Sequence, residues 1–177
     1  MKDLAEKISE KGFRCLRCGK CCSGDDNEVM VSPEEVDLLV KASGLSFDEI
    51  AEPYPSWIEE SGAKFTFGWV LKRGEDGNCI FLKEKKCSVY NSRPHICRTY
   101  PFMLDGFDLL TSECEGVGSC KISEETEQTA RDLLARRDAE DKEFELTKEQ
   151  YQKHSIVKDS IIIFDSRGAH RINNKND

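Results

Sequence analysis

Four cysteines fall within eight residues, at Cys15, Cys18, Cys21 and Cys22. A thiolate is a soft metal ligand, and a bound cation itself drives off the thiol proton. The two-residue spacer of Cys15-Leu-Arg-Cys18 lets both sulfurs reach one ion, and Gly19 permits φ > 0 just after the second. Backbone N–H groups in such a turn can point at the sulfurs. Extended to Cys21, the run has the three-ligand spacing of bacterial ferredoxin loops, which a remote cysteine near a proline completes. Cys97, four residues before Pro101, is placed for that part. The run differs from the C-x3-C-x2-C of radical S-adenosylmethionine enzymes, and that chemistry is not expected. Consecutive side chains point apart in a strand and stand about 100° apart in a helix. Cys21 and Cys22 are therefore expected to serve two metals, or different atoms of one multinuclear cluster.

The remainder of the composition supports a metal reading. Nine cysteines in 177 residues is an odd count, ill-suited to a fully paired disulfide framework. In the cytoplasm such density reads as metal binding or redox chemistry. Residues 1–13 are charged and carry no signal-peptide core, and no apolar run reaches the roughly 18 residues a membrane span needs. The expected setting is the cytoplasm, with no membrane partner. A net charge of −8 gives no basic footprint for nucleic acid. The hydrophobic share is 38% and the charged share 34%, so the core is modest and something besides packing is expected to help hold it.

The elements that must position these thiols follow from local signals. Residues 1–14 read as a polar helical lead-in, followed after the cysteines by an acidic loop from Asp25 to Glu28. Ser32-Pro33-Glu34-Glu35 reads as an N-cap, a proline at the first helical position and a capping-box glutamate. That helix carries Val36, Leu39 and Val40 on one face and stops at Gly44. Ser46 caps a second short helix that Pro53 and Pro55 end. Residues 64–72 read as a strand, 74–78 as a turn and 79–82 as the returning strand of a hairpin. Segment 87–104 mixes loop with one helical turn, and the charged stretch from Ser123 to about His154 reads as a helix. Ile156 to Phe164 reads as a strand, and His170 to Asp177 as a frayed tail. The expected fold is a small α+β domain, with a short hairpin and helices organised around the cysteine cluster. Its metal-binding part spans 1–122, with 123–177 as an extension of the same domain.

Beyond the first run, Cys15-Leu-Arg-Cys18-Gly-Lys-Cys21-Cys22 resembles the opening motif of the YkgJ-like CxxCxxCC cysteine-cluster family of zinc- or iron-chelating domains. The second half of that signature is similar to Cys79-Ile-Phe-Leu, Cys87-Ser-Val-Tyr90 and Arg93-Pro94-His-Ile-Cys97-Arg98-Thr-Tyr100-Pro101-Phe102, then Cys114-Glu-Gly116-Val-Gly118. Carried over by position, the resemblance implies a ligand set of Cys15, Cys18, Cys21, Cys22, Cys79, Cys87, Cys97 and Cys114. Cys120 lies outside the pattern. A relative with a related cluster, the flagellin lysine N-methylase, brings in methyl transfer, although no glycine-rich S-adenosylmethionine loop stands in this chain.

Bland readings stand beside the sharp one. Cys79 or Cys120 alone could be a small buried hydrophobe. His95, two positions before Cys97, is the best-placed histidine; His154 and His170 read as surface or packing residues. Arg93 and Arg98 could offset thiolate charge, since four thiolates on one Zn²⁺ leave a net −2. Tyr90 and Tyr100 could donate O–H to sulfur. Equally, the arginines could pair with carboxylates and the tyrosines fill the core. Three functions remain open: an iron–sulfur protein with a redox or catalytic-support role, a structural zinc protein acting as an interaction module for another protein, and a lysine methyltransferase-like enzyme. Both metals accept four thiolates; the spacing favours iron–sulfur.

Overall fold

A computed structural model of the chain describes residues 2–24, 28–120 and 125–172. The acidic loop expected from Asp25, apart from Glu28, lies outside the described residues, as do the expected helix start at Ser123 and the tail from 173. The chain is α+β. In order it forms α1 (Lys2–Lys11), a 3₁₀ turn (Lys20–Cys22), β1 (Met30–Val31), α2 (Pro33–Ser43), α3 (Phe47–Ile50), β2 (Ala51–Pro53), β3 (Ile58–Glu60), β4 (Ala63–Phe67) and β5 (Trp69–Leu71). Then follow β6 (Leu82–Lys83), β7 (Lys86–Cys87), a 3₁₀ turn (Tyr90–Ser92), α4 (His95–Thr99), β8 (Phe102–Asp105), β9 (Asp108–Thr111), α5 (Glu125–Lys153), β10 (Ile161–Asp165) and β11 (Gly168–Arg171).

These elements gather into two compact units, one of Met1–Asn27 with Phe81–Glu140 and one of Glu28–Ile80 with Asp141–Asp177. The first unit has a small core of Ile8, Phe13, Phe102, Ala130 and Leu133, against which Cys15 and Cys114 pack. Phe13 meets Phe102 edge-on at 5.3 Å between ring centroids. Arg136 is buried here, donating from Nη1 to Thr99 Oγ1 at 3.1 Å and from Nε to Glu140 at 2.7 Å. The hairpin β8–β9 turns at Gly106 (φ 57°) with Asp105 opposite Asp108. It was not among the expected elements.

In the second unit α2 forms as its signals predict. Ser32 Oγ accepts from the Glu35 N–H at 3.3 Å, and the Glu35 carboxylate accepts from the Ser32 N–H at 2.9 Å. The helix ends on left-handed Gly44, and Val36 and Leu39 are fully buried. The strand expected over 64–72 is two strands. Gly68 takes φ 79° and breaks the run, so β4 and β5 enter different sheets. β5 pairs with β1 and β2, while β4 lies between β3 and a parallel β10 in the order β11-β10-β4-β3. The helix capped at Ser46 is only Phe47–Ile50, because Ala51–Pro53 leaves it to pair with β5 as β2. The expected return strand after the 74–78 turn shrinks to a single bridge between Arg73 and Cys79. The expected frayed tail is in part a strand, since His170 and Arg171 belong to β11 and pair with Ile163 and Ile162.

A buried carboxylate ties this second unit together. Asp165 Oδ1 accepts from the Arg167 and Gly168 N–H groups at 2.8 and 3.1 Å, closing the β10–β11 turn. Its Oδ2 accepts from Trp69 Nε1 at 2.7 Å and meets His170 Nε2 at 2.9 Å. Replacing Asp165 with alanine would orphan these donors. We expect Asp165→Ala to lose about 3 kcal/mol of stability, the order of cost for stripping a charged acceptor from buried partners. Urea unfolding followed by tryptophan fluorescence measures it; a loss below about 0.5 kcal/mol, the level of a neutral surface change, would contradict this account.

Candidate metal centre

The cysteines of the first unit are positioned by main chain as much as by packing. Helix α1 stops at Gly12 (φ 63°), and the chain turns inward through buried Phe13. The Arg14 N–H then bonds the Gly116 carbonyl at 3.0 Å. A Cβ on Gly116 would stand 2.4 Å from the Arg14 carbonyl oxygen, so only glycine permits the approach that sets Cys114 beside the first cysteine run. The Gly116 N–H also points at Cys114 Sγ, at 3.4 Å. Gly19 does the same job after Cys18. Its φ is 76°, and a Cβ there would lie 2.6 Å from the Lys85 carbonyl oxygen. Lys85 and Glu84 form the tip of β6–β7, both at positive φ as a two-residue type I′ turn requires. The 3₁₀ turn Lys20–Cys22 is thus seated against the hairpin that carries Cys87.

The result is a set of sulfurs around Cys22. Cys21 Sγ and Cys22 Sγ are 3.9 Å apart, and the Cys22 and Cys87 side chains are hydrogen-bonded. Cys21 and Cys22, expected to serve two metals or different atoms of one multinuclear cluster, stand side by side because the tight 3₁₀ turn swings the adjacent side chains together. Two sulfurs on one tetrahedral ion with Zn–S bonds near 2.3 Å stand about 3.8 Å apart. Charge coupling ties Cys15, Cys18 and Cys21 to Cys114 as well. No disulfide links any of the nine cysteines. Among the described residues, no group of three His, Cys, Asp or Glu side chains is closed up to the geometry of a bound ion. In chemistry, soft sulfur donors with an N–H pointing at one of them suit zinc or iron.

Acidity follows the neighbours. The Cys22 S–H, then the positive charge of Arg93, outweigh burial and push the Cys21 thiol down to about 7. Cys87 is pushed down further, to about 6, by the Cys22 S–H, the Val89 N–H and Arg93, again against burial. Cys114 moves the other way, raised by burial and by nearby Cys18, Cys15 and Cys21 despite the Gly116 N–H. Tyr90 is raised by burial and by its hydrogen bond to Cys15.

The flanking residues resolve individually. Arg93 donates from Nε to the Tyr90 carbonyl (2.9 Å) and from Nη1 to the Cys97 carbonyl (3.2 Å), so it fixes the Cys97 main chain while its charge reaches Cys21 and Cys87. Arg98 turns to His95 Nδ1, at 3.2 Å. Tyr100 donates to the Glu113 carbonyl at 2.6 Å instead of to sulfur. Cys97 sits half-buried on α4, and Cys79 belongs to the second unit at its bridge to Arg73. Cys120 donates its N–H to the Gly12 carbonyl. The sequence reading missed two features. Lys20 pairs with Glu115 at 2.5 Å, and Arg17 packs its guanidinium 4.2 Å from the centre of the Tyr90 ring. Neither charge has a positional signal in the sequence.

Thiols gathered at glycine turns beside a guanidinium are of the type that cysteine-thiolate metal chelators carry. The chain belongs to the CxxCxxCC family, described as a "putative zinc- or iron-chelating domain", whose model matches residues 14–115. It is similar to an uncharacterized protein of Methanocaldococcus jannaschii, 27% identical over 162 residues that cover 81% of this chain and 82% of that one. No solved structure matches the chain. No helix among the described residues is long and apolar enough to cross a membrane.

The acidity pattern has a consequence for the reduced, metal-free chain. Cys87 lies below its ordinary value, so its thiolate predominates above about pH 6 and is lost as pH falls through that value. Iodoacetamide should therefore label Cys87 at pH 7 well ahead of Cys114, with a rate that falls off near pH 6. The same sign makes the folded unit gain stability as pH rises from about 6 towards the unfolded thiol value of 9.0. Peptide mapping of labelled protein across pH 5 to 9 reads the order; a Cys87 midpoint near 8.5, the ordinary thiol range, would refute the assignment.

Proposed function

We propose that this chain is an iron–sulfur protein with a redox or catalytic-support role, acting in the cytoplasm with a protein partner. Within the first unit the ligands we propose are Cys15, Cys18, Cys21, Cys22, Cys87, Cys97 and Cys114. The observation that carries the reading is the convergence of Cys15, Cys18, Cys21, Cys22, Cys87 and Cys114 in one unit, joined by thiol contacts and mutual charge effects. Six sulfurs exceed the four places around a tetrahedral ion, which supports a multinuclear centre. Cys18 and Cys21 are exposed, which supports exchange of electrons with an outside partner.

A structural zinc site is the second reading, favoured by one observation. The 3.9 Å between Cys21 and Cys22 sulfurs matches the edge of a tetrahedral zinc–thiolate site. A zinc staple would also add to the small core of the first unit.

Anaerobic purification followed by metal and sulfide analysis decides between them. We expect a brown protein with iron and acid-labile sulfide, and Cys22→Ser should lose all of its metal, because Cys22 is the sulfur its neighbours share. A colourless protein holding zinc would overturn the iron reading in favour of the zinc one. Cys22→Ser with part of its metal retained would instead point to two separate sites.

A further inference from the structure

The hairpin β8–β9 has two unlike faces. Strand alternation turns Phe102, Leu104 and Leu109 inward, where Phe102 is buried and the two leucines pack on the core of the first unit. On the outward side Met103 pairs with Leu110 and Asp105 with Asp108, and all four are exposed. The tip is a two-residue turn in which Gly106 takes φ 57° and Phe107 follows. Turn positions ordinarily go to small or polar residues, yet Phe107 stands 91% exposed. Exposed apolar residues scattered singly are common on protein surfaces. Here they share one outward face, running from the Met103–Leu110 pair through the acidic pair to the ring at the tip.

Charge says what can cover that face. Like charges set directly opposite on paired strands are destabilising, so Asp105 against Asp108 works against the hairpin itself. Among the described residues no cation forms an ion pair with either carboxylate. From Thr99 to Cys120 the sequence holds no lysine or arginine, and its acids are Asp105, Asp108, Glu113 and Glu115. Lys20 reaches Glu115 and leaves the tip negative. A second copy would bring the same acidic pair to the contact, and an anionic lipid surface would be repelled in the same way.

We infer that the outward face of β8–β9 docks a protein whose surface offers an apolar socket for Phe107 with lysine or arginine beside it. The inference deepens the protein-partner part of the reading above and rests on that part alone. A buried aromatic anchor carries much of the affinity in such contacts, and a cation between the two carboxylates removes their repulsion. The base of the hairpin is tied by the Ser112 N–H to the Pro101 carbonyl at 2.8 Å and by the Tyr100 hydroxyl to the Glu113 carbonyl at 2.6 Å. Cys114 follows at once, so a partner seated here holds the segment that runs into a proposed ligand.

The photo-crosslinker p-benzoylphenylalanine in place of Leu110, in the full chain in its native cells, serves as the probe and leaves Phe107 intact. Irradiation is expected to give an adduct with a different protein, and adding Phe107→Ser should cut its yield about 10-fold. In calorimetry with that protein purified, Phe107→Ser should bind about 30-fold more weakly. It should melt as the parent does, because the exposed ring adds little to the fold. Asp108→Lys separates docking from folding. It gives the free hairpin an opposite-charge pair with Asp105, so it should melt at or above the parent. It should nonetheless bind about 10-fold more weakly at low salt, with the difference fading as salt screens the charge. An adduct with a second copy, an adduct that Phe107→Ser leaves unchanged, or no adduct would each overturn the inference. So would affinity held or raised in Asp108→Lys, which decides alone if Phe107→Ser does not fold. A parent chain that floats with phosphatidylcholine–phosphatidylglycerol vesicles, where Phe107→Ser does not, would give the face to a membrane instead. None of these readouts involves metal, so a failure here and a failure of the metal centre are separate results.

Discussion

Like charges resist being gathered, and the first unit is organised around that resistance. Two thiolates about 4 Å apart repel by roughly 4 kcal/mol at an effective dielectric near 20. Cys21 and Cys22 stand 3.9 Å apart and Cys87 adjoins Cys22. A positive charge or a shared proton has to lie among these sulfurs. The S–H of Cys22 is one such device and the Arg93 guanidinium another, and both act on Cys21 and Cys87. A divalent metal would be a third and far stronger one. The lowered pKa of Cys87 and the raised pKa of Cys114 have separate causes: the Cys22 S–H and Arg93 act on the first, burial and the sulfurs of Cys18, Cys15 and Cys21 on the second.

Side-chain packing alone could not impose this crowding, because the core of the first unit is small. Main-chain contact supplies the force instead. Gly116 and Gly19 each let a carbonyl come within a distance that any Cβ would forbid. Each close approach lies one or two residues from a cysteine, so a shift in either turn is passed directly to a sulfur. The second unit uses different means. There a buried carboxylate collects a tryptophan, a histidine and two backbone donors, and Phe65, Phe67, Tyr151 and Phe164 pack ring against ring.

What could be read from the sequence was what local chemistry decides. The capping box at Ser32 and the glycine stop at Gly44 depend on residues within one turn of each other, and both formed as read. The α+β class and the cysteine-cluster family were likewise legible, since motif and order carry them. The division of 64–72 at Gly68 was not, because it depends on a parallel partner, β10, nearly a hundred residues away. The β8–β9 hairpin was missed although Asp105-Gly106 carries an Asp-Gly turn signal between apolar pairs. In the site, the thiols could be named, but their grouping could not. The meeting of Cys21 and Cys22 requires the 3₁₀ turn, and the rule that adjacent residues diverge assumes a regular helix or strand.

Arg17 shows why such residues escape a motif reading. Between two metal-ligand cysteines its side chain is unspecified by spacing, and its own backbone would be easier for glycine. Its meaning appears only with Tyr90, more than seventy residues along the chain, which is held in turn by Arg93. A strained backbone persists when its surroundings over-determine it. Here a cation on an aromatic face contributes about 0.5–1 kcal/mol at an exposed position, of the order of the left-handed penalty it accompanies. Packing therefore roughly offsets the strain without exceeding it. What it leaves is a positive charge held on the Tyr90 ring between two cysteines of the first run, so the case for arginine at 17 is electrostatic.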